Sequence, residues 1–127
     1  MTENPFTILI ADRNPHVREF LKREMASEGY RIRLAENGKD VLNYSYGPEP
    51  LDLLILDPDL PGGGAEDYIW PLLAKYPGLP VVFHCLSSDI PMPMPQMACT
   101  VIVEKSANSI DLLRRQIDLL LKTARQD

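Results

Sequence analysis

The sequence predicts an α/β fold, in which helices cover both faces of a doubly wound parallel sheet of five strands. Two apolar runs are typical of strands buried on both faces: residues 7–11, which precede Asp12, and residues 51–56, which precede Asp57. Strand-like and helix-like segments alternate along the chain, as right-handed crossover connections require. The 127 residues suffice for one domain over residues 1–127.

The first helix is predicted directly after the run 7–11. Asn14 is a good capping residue and Pro15 suits the first helical position, while Gly29 is a typical stop. Helical spacing assigns four apolar side chains to the core face: Val17, Phe20, Leu21 and Met25. This helix therefore returns the chain across the sheet to the second strand.

The second strand is predicted at an edge of the sheet. Residues 30–34 alternate with period two, which is typical of a strand with one wetter face. A second helix then opens at residues 37–38 (Asn-Gly) and ends at residues 47–48 (Gly-Pro). It leads into the buried run that ends at Asp57.

The third helix is predicted over residues 65–75, after a glycine-rich loop. Pro71 lies inside this segment. A proline removes one backbone hydrogen bond and clashes with the preceding turn. We therefore expect either a kink near Asp67 or a helix that restarts at Pro71.

The last part of the chain predicts two strands, residues 80–85 and 100–103, and a final helix over residues 108–122. The core face of that helix contains Ile110, Leu113, Ile117 and Leu120. Between the two strands, residues 86–99 carry proline at three alternate positions, Pro91, Pro93 and Pro95, which forbids a regular helix. We expect an irregular Pro- and Met-rich segment instead of a fourth helix, in which Met92, Met94 and Met97 either cover the core or form a soft binding surface.

Composition excludes several classes of protein. The net charge of −5 argues against a nucleic-acid-binding face, because such a face must be basic. No basic leader with an apolar stretch and no membrane-spanning run is visible, so we expect a cytoplasmic protein. Cys85 and Cys99 fit neither a zinc site nor a disulfide scaffold, and both are predicted to be reduced.

Three motifs, in order and at matching separations, resemble those of bacterial two-component response-regulator receiver domains. They are residues 8–12 (Ile-Leu-Ile-Ala-Asp), residues 53–57 (Leu-Leu-Ile-Leu-Asp) with Leu-Pro-Gly at 60–62, and residues 103–105 (Val-Glu-Lys). The resemblance implies a flavodoxin-like sheet in the order 2-1-3-4-5 and a role in phosphorelay signal transduction. It also implies a histidine kinase or a phosphotransfer protein as the partner.

The resemblance implies a role for several polar residues. Asp57 matches the phosphoacceptor that becomes an aspartyl phosphate, and Lys105 matches the phosphate-binding lysine. Asp12, Asp57 and the backbone carbonyl of Asp59 match ligands of Mg²⁺, a hard cation that prefers oxygen donors. Such a domain is not an enzyme in the usual sense, since at most it catalyses phosphorylation and dephosphorylation of its own aspartate.

The chain departs from the family pattern at positions that bind the metal or relay the signal. Arg13 replaces the second acid of the metal-binding pair, so Mg²⁺ binding is doubtful. Arg13 could form a bidentate ion pair with Asp57 or Asp12 in place of the metal, or it could point to solvent. Alternatively, the Asp59 side chain could turn inward and replace the lost carboxylate. Cys85 stands at the switch hydroxyl and Ile102 at the switch aromatic, which indicates altered or abandoned control by phosphorylation.

Two functions from different classes remain open. The first is a stand-alone phosphoacceptor domain that acts through protein–protein contacts; the second is a phosphorylation-independent pseudo-receiver in which Arg13 replaces the metal. Output is predicted through a downstream partner or a homodimer formed by the last strand and last helix. Leu112 and Leu119 lie a heptad apart on that helix and either belong to such a face or are ordinary exposed leucines, the second being favoured slightly. A flavin-binding protein is disfavoured, because residues 13–16 (Arg-Asn-Pro-His) lack the hydroxyl and glycine residues that cradle a phosphate.

Overall fold

Five parallel strands form one sheet in the computed structural model, which describes residues 6–64, 66–86 and 100–125. The elements along the chain are β1 (Thr7–Ala11), α1 (Pro15–Ala26), β2 (Arg31–Ala35), α2 (Gly38–Asn43), β3 (Leu53–Leu56), α3 (Glu66–Lys75), β4 (Val81–Cys85), β5 (Thr100–Glu104) and α4 (Ser109–Arg125). The strand order is β2-β1-β3-β4-β5. This confirms the predicted doubly wound, flavodoxin-like sheet.

The predicted irregular segment between the fourth and fifth strands, residues 86–99, lies outside the described residues except for its first member, Leu86. The predictions for its prolines and methionines and for Cys99 therefore remain predictions. Within the described part of the chain, no helix is long and apolar enough to cross a lipid bilayer.

The first helix begins as predicted. The side-chain oxygen of Asn14 accepts hydrogen bonds from the backbone N–H groups of His16 and Val17, at 2.9 and 3.3 Å. Phe20, however, is 46% exposed, so the prediction that it faces the core is wrong. The apolar face of α1 is narrow, because only Leu21 and Met25 are buried.

Two other helix predictions need correction. The second helix stops at Asn43, four residues before the predicted end at Gly47. Of the two alternatives for the third helix, the restart at Pro71 is wrong, because α3 runs unbroken from Glu66 to Lys75 with the proline inside it; the kink near Asp67 stays a prediction. On α4 the predicted core face is confirmed: Leu113 and Ile117 are buried, Ile110 and Leu120 are partly buried and pack against the same cluster, and Leu121 adds a further buried side chain.

Two hydrophobic clusters lie on opposite faces of the sheet, because successive side chains of a strand point to opposite sides. Leu9 and Leu54 belong to the cluster that α2 and α3 cover, while Ile8 and Ile55 belong to the cluster under α1 and α4. Every residue of β1 and β3 is buried. The two central strands are therefore held firmly, and their C-terminal ends form a fixed platform for the polar residues that follow.

Candidate functional site

Two aspartates follow the central strands and lie side by side. Ala11 pairs with Leu56 in the parallel register, and the backbone N–H of Asp57 donates to the carbonyl of Ala11 at 2.8 Å. The next residues, Asp12 and Asp57, are 2% and 1% exposed. A buried carboxylate is costly unless it is paired, so both need partners inside the protein.

One oxygen of each carboxylate is held by the backbone of the loop that follows it. Oδ1 of Asp12 accepts from the N–H of Asn14 at 2.9 Å. Oδ1 of Asp57 accepts from the N–H of Asp59 at 3.0 Å. These short loops fix both carboxylates, and the Oδ2 atoms remain for other partners.

Lys105 bridges the two carboxylates. Its Nζ lies 3.1 Å from Oδ2 of Asp12 and 3.3 Å from Oδ2 of Asp57, and its side chain is 21% exposed. The lysine directly follows β5, and its backbone N–H donates to the carbonyl of Cys85 at 2.8 Å. The sheet therefore delivers an ammonium group to two acids that are far away in the sequence.

The pKa of Asp12 is raised above its usual range, mainly because burial disfavours the charged carboxylate. The hydrogen bond from Asn14 and the charge of Lys105 oppose this shift, and the charge of Asp57 adds to it. Lys105 therefore offsets the cost of burying Asp12 only in part.

A second ion pair lies outside this buried group. Nη1 of Arg13 contacts Oδ2 of Asp59, and Nε of Arg13 lies 3.8 Å from Oδ2 of Asp57. The side chains of Arg13 and Asp59 are 50% and 48% exposed. Arg13 thus faces Asp57 rather than solvent alone, and within the described residues it forms no ion pair with Asp12. Asp59 turns toward Arg13, which argues against the alternative in which its carboxylate replaces the missing acid.

The residues present do not fit a divalent cation well. In the described ranges no group of three or more His, Cys, Asp or Glu side chains is arranged to hold a metal ion. Oδ2 of Asp57, which would be a metal ligand, already faces the cationic groups of Arg13 and Lys105. The carboxylate of Asp59 is paired with Arg13. A divalent cation bound at this oxygen would be repelled by Arg13 and Lys105 unless both side chains moved away.

The two predicted switch residues lie on the neighbouring strands β4 and β5. Cys85 ends β4 with its side chain in the core cluster covered by α2 and α3. Ile102 is an exposed residue of β5, opposite Phe83 in the register. Both residues occupy the predicted strand positions, but neither offers an oxygen to the site.

Sequence reasoning missed three side chains around the pocket. Nη1 of Arg18 donates to the carbonyl of Asp12 at 2.7 Å and so braces the loop after β1; its place one turn after the cap of α1 was the available signal. Tyr68 of α3 is buried in the core, and its hydroxyl has no partner among the described residues. Burial, together with the nearby charge of Asp57, raises the pKa of that hydroxyl.

The third missed residue is Ser109, at the start of α4. Its hydroxyl donates to the carbonyl of Ser106 at 2.9 Å and lies 3.0 Å from Nε2 of His84. Nε2 must therefore carry the proton and donate to Ser109, while the buried Nδ1 has no partner among the described residues. Burial, and to a lesser degree the charge of Lys105, lowers the pKa of His84 to about 4. His84 is thus a neutral packing residue beside the pocket.

Comparisons with known proteins identify the same family that the sequence motifs resemble. The family model described as the response regulator receiver domain matches residues 8–115. The chain is 31% identical over 78 residues to a probable transcriptional regulatory protein, TcrX, of Mycobacterium tuberculosis. It is 40% identical over 76 residues to the response regulator GtcR of Aneurinibacillus migulanus. These matches cover 61% and 60% of this chain, which spans about a third of the length of each relative (33% and 31%).

Solved structures of response regulators share the fold. The response regulator TrrA of Thermotoga maritima, in complex with Mg²⁺–BeF, has a TM-score of 0.76 and 31% identity, with 91% of this chain and 98% of that chain covered. The same regulator, in complex with the histidine kinase ThkA, has a TM-score of 0.72 and 30% identity over the same shares of the two chains.

Proposed function

This chain belongs to the response regulator receiver domain family of two-component signalling, and on that premise we propose that Asp57 is its phosphoacceptor. The observation that carries the proposal is the buried Asp57 carboxylate at the tip of a central strand, with Nζ of Lys105 3.3 Å from its Oδ2. The proposal places this domain in a phosphorelay, where it receives a phosphoryl group and passes the signal on by contact with another protein.

The chemistry needs little from the protein besides positioning and positive charge. In the proposed step, Oδ2 of Asp57 forms a bond to phosphorus while the bond between phosphorus and the donor's leaving group breaks. With acetyl phosphate as donor, acetate leaves with the bonding electrons, and no proton is transferred. Lys105 is a compact point charge close to that oxygen, so it stabilises the negative charge on the phosphoryl oxygens.

The proposed donor in the cell is a histidine kinase or a phosphotransfer protein. Support comes from TrrA, a similar response regulator whose structure is known in complex with a histidine kinase. For the output, we propose a downstream protein or a second copy that binds along β5 and α4. Ile102, Leu112 and Leu119 supply exposed apolar side chains on these two elements.

A second candidate is a receiver domain that signals without phosphate. It is favoured by the two cations that face Oδ2 of Asp57. Arg13 places a positive charge there in addition to that of Lys105, so the pocket already has the charges of a site in which a metal ion is bound beside the lysine. Cys85 at the switch position also favours this candidate, because its thiol is a weak hydrogen-bond donor. In this case the chain binds its partner in one fixed state.

The two candidates are separated by incubation with acetyl phosphate, both with Mg²⁺ and in metal-depleted buffer, followed by intact mass spectrometry. A phosphoacceptor gains the mass of one phosphoryl group in at least one buffer, and Asp57→Asn does not. Asp118→Asn is the matched control, because Asp118 lies on the exposed part of α4. No gain for the folded parent protein in either buffer supports the phosphorylation-independent candidate and rejects the phosphoacceptor.

A further inference from the structure

Charge is distributed unusually around Asp57. Three carboxylates, those of Asp12, Asp57 and Asp59, lie with two cationic side chains, Arg13 and Lys105, so the group carries one net negative charge. Both cations face the same oxygen, Oδ2 of Asp57, at 3.8 Å from Nε of Arg13 and 3.3 Å from Nζ of Lys105. An incoming tetrahedral anion at that oxygen therefore meets two positive charges that the chain itself provides.

Arg13 is held for this role by Asp59. A guanidinium presents five N–H donors in a rigid fork, which suits the oxygens of phosphate-like anions. Here Nη1 is fixed on Oδ2 of Asp59, and Nε faces Asp57. The backbone N–H of Asp59 also fixes Oδ1 of Asp57, so one residue positions both the proposed acceptor and the cation beside it.

The same arrangement opposes a divalent cation. Asp12 and Asp57 already share Lys105, the carboxylate of Asp59 is paired with Arg13, and no metal-holding group of three acids, histidines or cysteines occurs among the residues described. A dication would bring a charge that Arg13 already supplies in part.

We propose that Asp57 takes up a phosphoryl group, or a phosphoryl mimic, without a divalent cation, because Arg13 anchored by Asp59 supplies the second positive charge. This inference rests on the proposed phosphoacceptor role of Asp57. Asp59 is then a positioning residue that acts through Arg13, and its carboxylate is not a metal ligand. The chemistry recognised is a tetrahedral or trigonal anion of phosphate size that bonds to a carboxylate oxygen.

The test is binding of fluoroberyllate to the full chain, followed by fluorine NMR and calorimetric titration, in metal-depleted buffer and in buffer with Mg²⁺. For the parent protein, we expect Kd values that agree within about threefold between the two buffers, a difference smaller than one charge-assisted hydrogen bond. Arg13→Asp should weaken binding at least about tenfold without metal, as loss of one such hydrogen bond predicts, and Mg²⁺ should restore it.

Two further variants separate charge from structure. Arg13→Lys keeps the positive charge and should recover part of the metal-free affinity. Arg23→Asp makes the same charge change at an exposed position of α1 away from the pocket and should leave the affinity of the parent protein unchanged. Circular dichroism of each variant verifies that it is folded.

Each outcome decides one proposal. Binding by the parent protein only when Mg²⁺ is present overturns the metal-independent inference and leaves Asp57 as the phosphoacceptor. Equal metal-free affinity of Arg13→Asp and the parent protein overturns the role of Arg13. Absence of binding by the folded parent protein in both buffers overturns the phosphoacceptor proposal itself.

Discussion

The inner and outer parts of the pocket contain the same kinds of ion pair but differ in burial. The inner part is Asp12, Asp57 and Lys105, in which both carboxylates are almost fully buried. The outer part is Arg13 and Asp59, in which both side chains are about half exposed. Water screens the outer pair and reaches the inner group poorly, so the same formal charges have different energetic weight. The inner part should therefore govern stability, and the outer part should govern which anion or cation binds.

Removing the inner cation is the strongest way to break this contrast. Lys105→Met leaves two buried carboxylates side by side with only the half-exposed Arg13 nearby, 3.8 Å from Asp57, and we expect a loss of about 3 kcal/mol in the free energy of unfolding at neutral pH. Urea denaturation measures it. Lys122→Met is the control, because Lys122 forms an exposed pair with Asp118 on α4 and should change stability by less than about 0.5 kcal/mol. Equal effects of the two substitutions would contradict the contrast.

His84, which lies beside the inner part, should make stability depend on pH. Its folded-state pKa of about 4 is below the value of 6.5 for an unperturbed histidine, so the unfolded chain binds the proton first. The stability that neutral His84 contributes is complete above pH 6.5 and is lost as the pH falls toward 4. Between pH 7.5 and 5 this group should lower the free energy of unfolding by about 2 kcal/mol.

The variant pair for that prediction uses the only two histidines of the chain. His84→Leu should flatten the decrease in stability between pH 7.5 and 5, as measured by urea denaturation at both pH values. His16→Gln should keep the decrease of the parent protein, because His16 is exposed near the start of α1. If the stability of His84→Leu still decreases between pH 7.5 and 5, groups other than His84 cause the decrease.

Asp12 should respond to pH in the opposite sense. Its folded-state pKa is raised, so the folded chain binds the proton more readily than the unfolded chain does. Stability therefore falls as the pH rises from about 3.8 through the raised pKa, and the full cost of the charge remains above it. Asp12→Asn should be more stable than the parent protein at pH 7, by less than the Lys105→Met loss, and this gain should vanish near pH 3.8.

Thermal unfolding at several pH values measures the effect of Asp12→Asn. Asp111→Asn is its control, because Asp111 is an exposed residue in the first turn of α4. A variant less stable than the parent protein at pH 7 would mean that Lys105 compensates fully for the burial of Asp12.

The smallest effect on stability is expected in the outer part. Asp59→Asn removes the charge that anchors Arg13 but keeps the backbone N–H that holds Asp57. We expect the free energy of unfolding to change by less than about 0.5 kcal/mol, as for other exposed ion pairs. Metal-free fluoroberyllate affinity should nevertheless fall about threefold, since a freed Arg13 samples other rotamers. Unchanged affinity would show that Arg13 does not need its anchor.

Local sequence signals predicted most of the fold. The apolar runs at 7–11 and 51–56 defined the central strands, and Asn14 with Pro15 marked the start of α1. The errors occurred where neighbouring elements decide the outcome. Phe20 has helical spacing but lies beyond the narrow strip that the sheet covers, and α3 continues through Pro71 although the proline lacks the N–H that would bond within the helix. Periodicity describes a face, and only packing decides how wide that face is.

The sequence by itself determined that two acids end two neighbouring central strands, since burial of the runs before them and the parallel topology are encoded locally. It also indicated Lys105 and Arg13 as candidates for the charges beside them. Only the tertiary structure decided their partners: Lys105 bridges both acids, and Arg13 is paired with Asp59 instead of forking onto Asp12. The physical reason is that ion pairing depends on distances of a few ångströms and on exposure to water, and folding alone sets both for residues far apart in the sequence.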